Sequence, residues 1–181
     1  RDIGKIQIDY ELLGRPGPLT DEEFEHVKAH VTNTLKLLRA HDSFDPEVLS
    51  VIASHHERLD GSGYPRGLGG MSIPLAGEMS GIVDTYCAMT RQRVYRDAIS
   101  SQRAMEALNQ QRNTHFRDTL VDQFLQCIGL YPIGTLLELN SGEVGVVIQQ
   151  NQVRRLQPRV LVLLGPDKTV ERFPRTIDLL M

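Results

Sequence analysis

Cysteine is nearly missing from this sequence: Cys87 and Cys127 are the only two among 181 residues. So few thiols exclude a disulfide scaffold and a cysteine-based zinc module, and they suit a reducing compartment. Any metal must then sit on histidine and carboxylate. An excess of charge of one sign is missing too. Twenty Lys+Arg against 23 Asp+Glu leave a formal charge of −3, so no bulk basic field marks a partner such as a DNA or RNA polymer, and a small anionic ligand would need a local basic site. No apolar run approaches the roughly 20 residues of a bilayer-crossing helix, and the opening Arg1-Asp2-Ile3-Gly4-Lys5-Ile6 lacks the apolar stretch of a signal peptide. Low-complexity tracts and internal repeats are absent by inspection. With 40% apolar residues the chain can build a core and reads as a soluble, cytoplasmic globular protein. It begins at Arg1, within a motif, and is read as a fragment of a longer protein.

Helix signals dominate the first two thirds. Thr20-Asp21-Glu22-Glu23 has the form of a capping box, and Phe24, Val27, Val31, Leu35 and Leu38 recur at the spacing of one buried helical face through about Arg39. Asp45-Pro46 opens a second helix that is expected to run to His55 and His56. Gly61, Gly63, Gly67, Gly69 and Gly70 around Tyr64-Pro65 make residues 57–71 a long shaped loop. A third helix is predicted over Pro74 to Thr90, with Asp84 its polar exception. Two more follow, near Ser101–Leu108 and Asp118–Cys127, the last stopped by Gly129. Beyond Tyr131-Pro132 the pattern changes to strands over Thr135–Leu139, Val144–Gln149 and Val160–Leu164. The fold class is therefore mainly α, with a helical domain over 1–130 and a small antiparallel β extension over 131–181.

The residues that could carry chemistry are Asp2, Lys5, His30, His55, His56 and Asp84. A lone histidine beside an apolar stripe is usually a hydrogen-bonded core residue. Neighbours on a helix lie roughly 100° apart, so His55 and His56 can share one wall only if that wall is wide or the helix is ending. Asp84 is the sharper clue, because an ionised carboxylate in an apolar helix is costly unless it is paired or bound to a metal. Its partner is either a metal ion or a side chain among Arg1, Lys5 and Arg91. Oxygen and imidazole donors without thiolate suit iron, manganese, zinc or nickel. His26 and His30, four apart, form a competing pair, but no catalytic Glu lies between them and His26 reads as a solvated face residue. His41 and His115 read as surface residues.

The ordered combination resembles the HD-GYP proteins, a branch of the HD superfamily of metal-dependent phosphohydrolases. The residues that carry the resemblance are Arg1-Asp2-Ile3-Gly4-Lys5-Ile6, close to a His-Asp-x-Gly-Lys motif, then Pro16-Gly17-Pro18-Leu19-Thr20 and His30. The run His55-His56-Glu57-Arg58-Leu59-Asp60-Gly61-Ser62-Gly63-Tyr64-Pro65 follows, and after it Gly67-Leu68, Ile73-Pro74, Asp84 and Arg93-Val94-Tyr95-Arg96. The resemblance implies an HD-superfamily helical bundle and hydrolysis of cyclic di-GMP in bacterial signal transduction. It implies a binuclear iron or manganese site on Asp2, His30, His55, His56 and Asp84, with Asp2 bridging. Lys5 would face the substrate phosphate, while Gly63, Tyr64, Pro65, Arg93 and Arg96 would border the substrate. A protein partner at the Gly-Tyr-Pro loop and a homodimer are left open, as is the role of the β extension.

The pattern departs from the family in three places. Arg1 stands where the doublet's histidine belongs, and a guanidinium cannot ligate a metal; it could instead pair with Asp2 and Asp84. Cys87 stands where a further carboxylate is usual, and the helices that precede the doublet in the family are absent from this sequence. Two functions are therefore carried: a metal-dependent cyclic di-GMP phosphodiesterase, and a catalytically degenerate domain that binds cyclic di-GMP or a partner protein as a regulatory module.

Overall fold

The computed structural model describes residues 1–40, 44–92, 97–129, 131–151 and 157–179. The expectations for His41, Arg93 and Arg96 lie outside the described residues. The chain divides into two compact units, Arg1–Ser100 with Ala104–Asp122, and Ser101–Arg103 with Gln123–Met181.

The first unit opens with a 3-10 turn, Ile3–Gln7, and a short helix α1, Tyr10–Gly14, neither of which the periodicity predicts. The capping box forms as expected: Thr20 accepts from the Glu23 backbone N–H while Glu23 accepts from the N–H of Thr20. It starts α2, Asp21–Lys28. The single helix expected through Arg39 is broken at Ala29, and α3, His30–Arg39, begins anew. One apolar stripe runs through both segments, so the break leaves the periodicity intact and could not be read from it. Val31 and Leu35 are buried with Ile52, whereas Phe24 is exposed.

The N-cap of α4, Pro46–Ser54, is Asp45, whose carboxylate accepts from the N–H of Glu47, with Pro46 in the first turn. The helix ends at Ser54 rather than reaching His56. After the signature loop, α5, Leu75–Thr90, packs on α4. Glycine permits this approach: a Cβ at Gly77 would come 2.0 Å from Ser54 Oγ, and one at Gly81 would come 2.6 Å from the His55 carbonyl. Helix α6 is Ser101–Gln110 and α7 is Asp118–Ile128. Gly129, at φ +73°, closes α7 with its N–H on the Leu125 carbonyl.

In the second unit β1, Leu136–Glu138, β2, Val144–Gln149, β3, Arg159–Leu164, and β4, Thr176–Asp178, form an antiparallel meander in that order. Val147, Val160 and Val162 are its buried hydrophobic side chains, and the buried Glu143 is held by Ser141 and Arg175. Strand β4 was not read from the sequence: three residues of Thr-Ile-Asp carry too little alternation to register. The mainly α class with a small antiparallel sheet holds. Among the described residues no helix is long and apolar enough to cross a membrane.

Glu78 is the most buried acid of α5. Its carboxylate takes the N–H of Arg117 at 2.5 Å and faces Arg117 Nε at 2.7 Å, with no side-chain exposure. Removing one partner of such a pair strands the other charge, so Glu78→Ala is expected to cost about 3 kcal/mol of stability. Urea unfolding measures it, and a loss below about 1 kcal/mol would show that the pair is not a brace.

Candidate functional site

Three imidazoles meet because two helices stop where they do. With the helical segment broken at Ala29, His30 opens α3 and its Nδ1 lies 2.7 Å from the carbonyl of Val27. At the other junction His55 caps α4 at φ −67°, ψ −15°, and its Nδ1 lies 2.7 Å from the carbonyl of Ile52. A carbonyl only accepts, so each Nδ1 carries the proton and each Nε2 presents a lone pair. Both Nε2 atoms are buried without a hydrogen-bond partner. His56 follows where the helix has ended, which is how adjacent residues come to share one wall. Its ring centre is 4.0 Å from that of His55 and 5.2 Å from that of His30. One ring nitrogen from each of the three lies within 4.8 Å of the others.

The carboxylates stand beside this group. Asp2 Oδ1 is 3.5 Å from His30 Nε2 and 3.1 Å from Lys5 Nζ, and Asp84 Oδ2 is 3.9 Å from His56 Nδ1. Arg1 links the two acids: its Nη2 is 2.5 Å from Asp84 Oδ1 and its Nε 3.4 Å from Asp2 Oδ2, with Nη1 on the carbonyl and hydroxyl of Ser80. The opening turn is seated by close backbone approach. Gly4 donates to Thr34 Oγ1 at 2.9 Å, and a Cβ at Gly4 would come 2.2 Å from the His30 carbonyl.

The signature loop is anchored by a residue to which the sequence reading gave no role. Glu57, buried at the start of the loop, accepts from the N–H groups of Arg66 and Leu68 at 2.9 and 2.8 Å. An acid in a Gly-rich loop has no sequence signal that separates it from a solvated one. Tyr64 is thereby laid on His56, with ring centres 4.6 Å apart and planes 25° from parallel. Gly63 lies against the Glu57–Arg58 backbone, where a Cβ would come 2.4 Å from Arg58 N, and Pro65 is exposed.

A cavity of about 950 Å³ opens over the group. Lys5, His30, His56, Tyr64 and Asp84 line it, together with apolar side chains from α1, α2 and α5. His55 sits behind the wall and Asp2 beside it; neither Gly63 nor Pro65 contributes to the lining. His26 is exposed on α2, its Nδ1 3.1 Å from the Glu22 carbonyl, and does not join the cluster. His115 lies 3.7 Å from Asp60, also apart from it.

A family model described as the HD domain matches residues 1–120. The chain belongs to the HD domain family. It is 35% identical over 178 residues to a cyclic di-GMP phosphodiesterase of Pseudomonas aeruginosa, covering 98% of this chain and 43% of that protein. A cyclic di-GMP phosphodiesterase of Thermotoga maritima is 37% identical over 126 residues, 69% of this chain and 34% of its own. A 3'3'-cGAMP-specific phosphodiesterase of Vibrio cholerae is 33% identical over 126 residues, 69% of this chain and 24% of its own. The chain spans less than half the length of each. The resemblance read from the sequence holds, and these relatives support an HD-GYP domain.

In this HD domain burial, the largest cause in each case, pushes the imidazoles of His30, His55 and His56 below their ordinary value of 6.5, and His56, which also feels His55, His30 and Arg58, is held at about 2. Asp2 is pushed up by burial, but Lys5, Arg1 and His30 outweigh that and hold it at about 2 against 3.8. Unfolding the metal-free protein therefore takes up protons below pH 6.5. Stability is expected to be level above that value, to fall as pH drops below it, and to fall again between 3.8 and about 2 as Asp2 protonates. Urea unfolding in chelator across this range measures it; stability unchanged from about pH 8 to 5 would refute neutral buried imidazoles.

Proposed function

We propose that this HD domain is a metal-dependent phosphodiesterase of the HD-GYP type that hydrolyses cyclic di-GMP in bacterial signalling, in the cytoplasm. The observation that carries this is the pair of buried, unpartnered Nε2 atoms of His30 and His55 beside His56. Buried nitrogens without a donor or acceptor are costly unless something cationic meets them. The donor set of three imidazoles flanked by carboxylates suits a divalent first-row ion such as iron or manganese. His30, His55 and His56 would hold it, with Asp2 and Asp84 as the available oxygens. Such an ion lowers the pKa of water and offsets charge developing on phosphoryl oxygens.

The chain's own residues supply the rest. The carbonyls of Val27 and Ile52 fix the imidazole tautomers and so the direction of each lone pair. Lys5, within reach of Asp2, brings positive charge to the cavity wall for a phosphate. Tyr64, in the cavity lining, brings an aromatic ring to the site with which a nucleobase could pack. Arg93 and Arg96 are proposed to add phosphate contacts. The names of the relatives support a cyclic dinucleotide as the substrate class.

Arg1 favours a second reading, a regulatory domain that binds the nucleotide without turnover. Its guanidinium already compensates Asp2 and Asp84, the two carboxylates that the second ion of a binuclear pair would need.

Incubated with Mn²⁺ or Fe²⁺, the purified chain is expected to convert cyclic di-GMP to the linear dinucleotide, resolved by chromatography. His55→Ala should lower the rate at least about a hundredfold, some 2.7 kcal/mol of transition-state stabilisation. Nucleotide binding at full metal occupancy without turnover would instead establish the regulatory reading. In that case Arg1→His should raise both metal content and hydrolysis.

A further inference from the structure

The cavity wall carries one charge that no acid in the described chain offsets at contact distance. Lys5 faces Asp2 at 3.1 Å and Arg15 faces Glu23 at 2.6 Å, whereas Arg58, on the same wall, makes no ion pair among the described residues. Its Nη1 donates to the carbonyls of Glu57 and His55 at 2.8 and 3.3 Å, and its Nη2 to Thr85 Oγ1 at 3.5 Å. The guanidinium carbon lies 4.8 Å from the centre of the Phe116 ring. Gly81 leaves room for it, since a Cβ there would come 3.4 Å from Nη1. Neutral carbonyls, a hydroxyl and a ring face hold the guanidinium, and Asp84, Asp60 and Glu57 act on its charge only beyond contact distance.

Arginine has five N–H donors. With both Nη1 hydrogens and one on Nη2 engaged, Nε–H and a second Nη2–H have no partner among the described residues. Nε and Nη2 can form a fork that suits two oxygens of one phosphate. The same cavity is lined by His56 and Asp84. We propose that Arg58 is a phosphate-anchoring residue of the cavity, held in position by the His55–Glu57 turn and Thr85 and engaging an oxyanion through its unspent edge. The identity of that oxyanion as a phosphodiester of cyclic di-GMP rests on the function proposed above; the anchor itself does not. The competing role is a brace: if Arg58 only tied the His55–Glu57 turn to α5, its loss would disturb His56 and Asp84 and with them the bound metal.

The test titrates the full chain, R58Q and R58K with inorganic phosphate and, separately, with cyclic di-GMP by calorimetry, with metal content and thermal unfolding recorded for each. An anchor predicts that R58Q keeps its metal and its unfolding temperature and loses about tenfold or more in affinity for phosphate, with R58K, which keeps the charge and loses the fork, in between. Equal phosphate affinity in wild type and R58Q overturns the proposal, as does a wild type that binds no phosphate. Loss of metal in both variants also overturns it and leaves the brace. Should R58Q fail to fold, R58K decides, by weaker phosphate binding at unchanged metal content or by none. Phosphate binding through Arg58 with no binding of cyclic di-GMP keeps the anchor and removes the cyclic di-GMP reading.

Discussion

Two hydrogen bonds set the chemistry open to this fold. His30 and His55 each give the Nδ1 proton to a carbonyl three residues back, Val27 and Ile52, at 2.7 Å. Each bond uses the turn at which regular helix stops, so the secondary structure and the tautomer are one constraint. A helix continuing through Ala29 or past Ser54 would engage those carbonyls elsewhere and turn the rings away. What remains is a pair of buried Nε2 lone pairs without a hydrogen-bond partner, an arrangement that hydrophobic packing alone does not favour.

The packing around the imidazoles makes sense as support for that constraint. Gly77 and Gly81 let α5 close on Ser54 and the His55 carbonyl, which brings Asp84 to the imidazoles. Gly4 does the same for the opening turn and brings Asp2. Glu57 and Arg58, adjacent in sequence, reach different structures: the acid holds the loop backbone at Arg66 and Leu68, and the base reaches α5 at Thr85. The His55–His56 junction is thus fixed from both sides.

Much of this was legible. Capping residues gave the starts of α2 and α4, and apolar periodicity gave the course of α5, because both are local signals. The convergence of Asp2, His30, His55, His56 and Asp84 could be anticipated because a doubled histidine and an acid in an apolar helix are both costly without a shared purpose. His26 was separable from His30 because it has no partner cluster, and it is indeed exposed. The break at Ala29 was not legible, since both segments keep one stripe. The roles of Glu57 and Arg58 were hidden too, because a buried charge in a glycine-rich loop shows itself only through the backbone groups it meets. Strand β4, short and sparsely alternating, escaped for want of pattern.

Charge bookkeeping joins the cluster to the cavity. Asp2 and Asp84 contribute two negative charges, and Arg1 and Lys5 meet them with two positive ones, so the carboxylates are compensated before any ion or nucleotide arrives. That balance is why Asp2 stays ionised far below the usual carboxylate range. It also means that Arg1 and Lys5 can serve an incoming phosphate only by loosening their hold on an acid, unless a divalent ion takes their place there. Arg58 faces no such exchange. Its contact partners are carbonyls, a hydroxyl and a ring, Asp84, Asp60 and Glu57 act on it only beyond contact distance, and an anion meeting it breaks no ion pair. In a cavity whose other described lysine and arginine side chains are already matched, the site of least electrostatic competition for a phosphate is therefore beside the His55–Glu57 turn, next to the imidazoles.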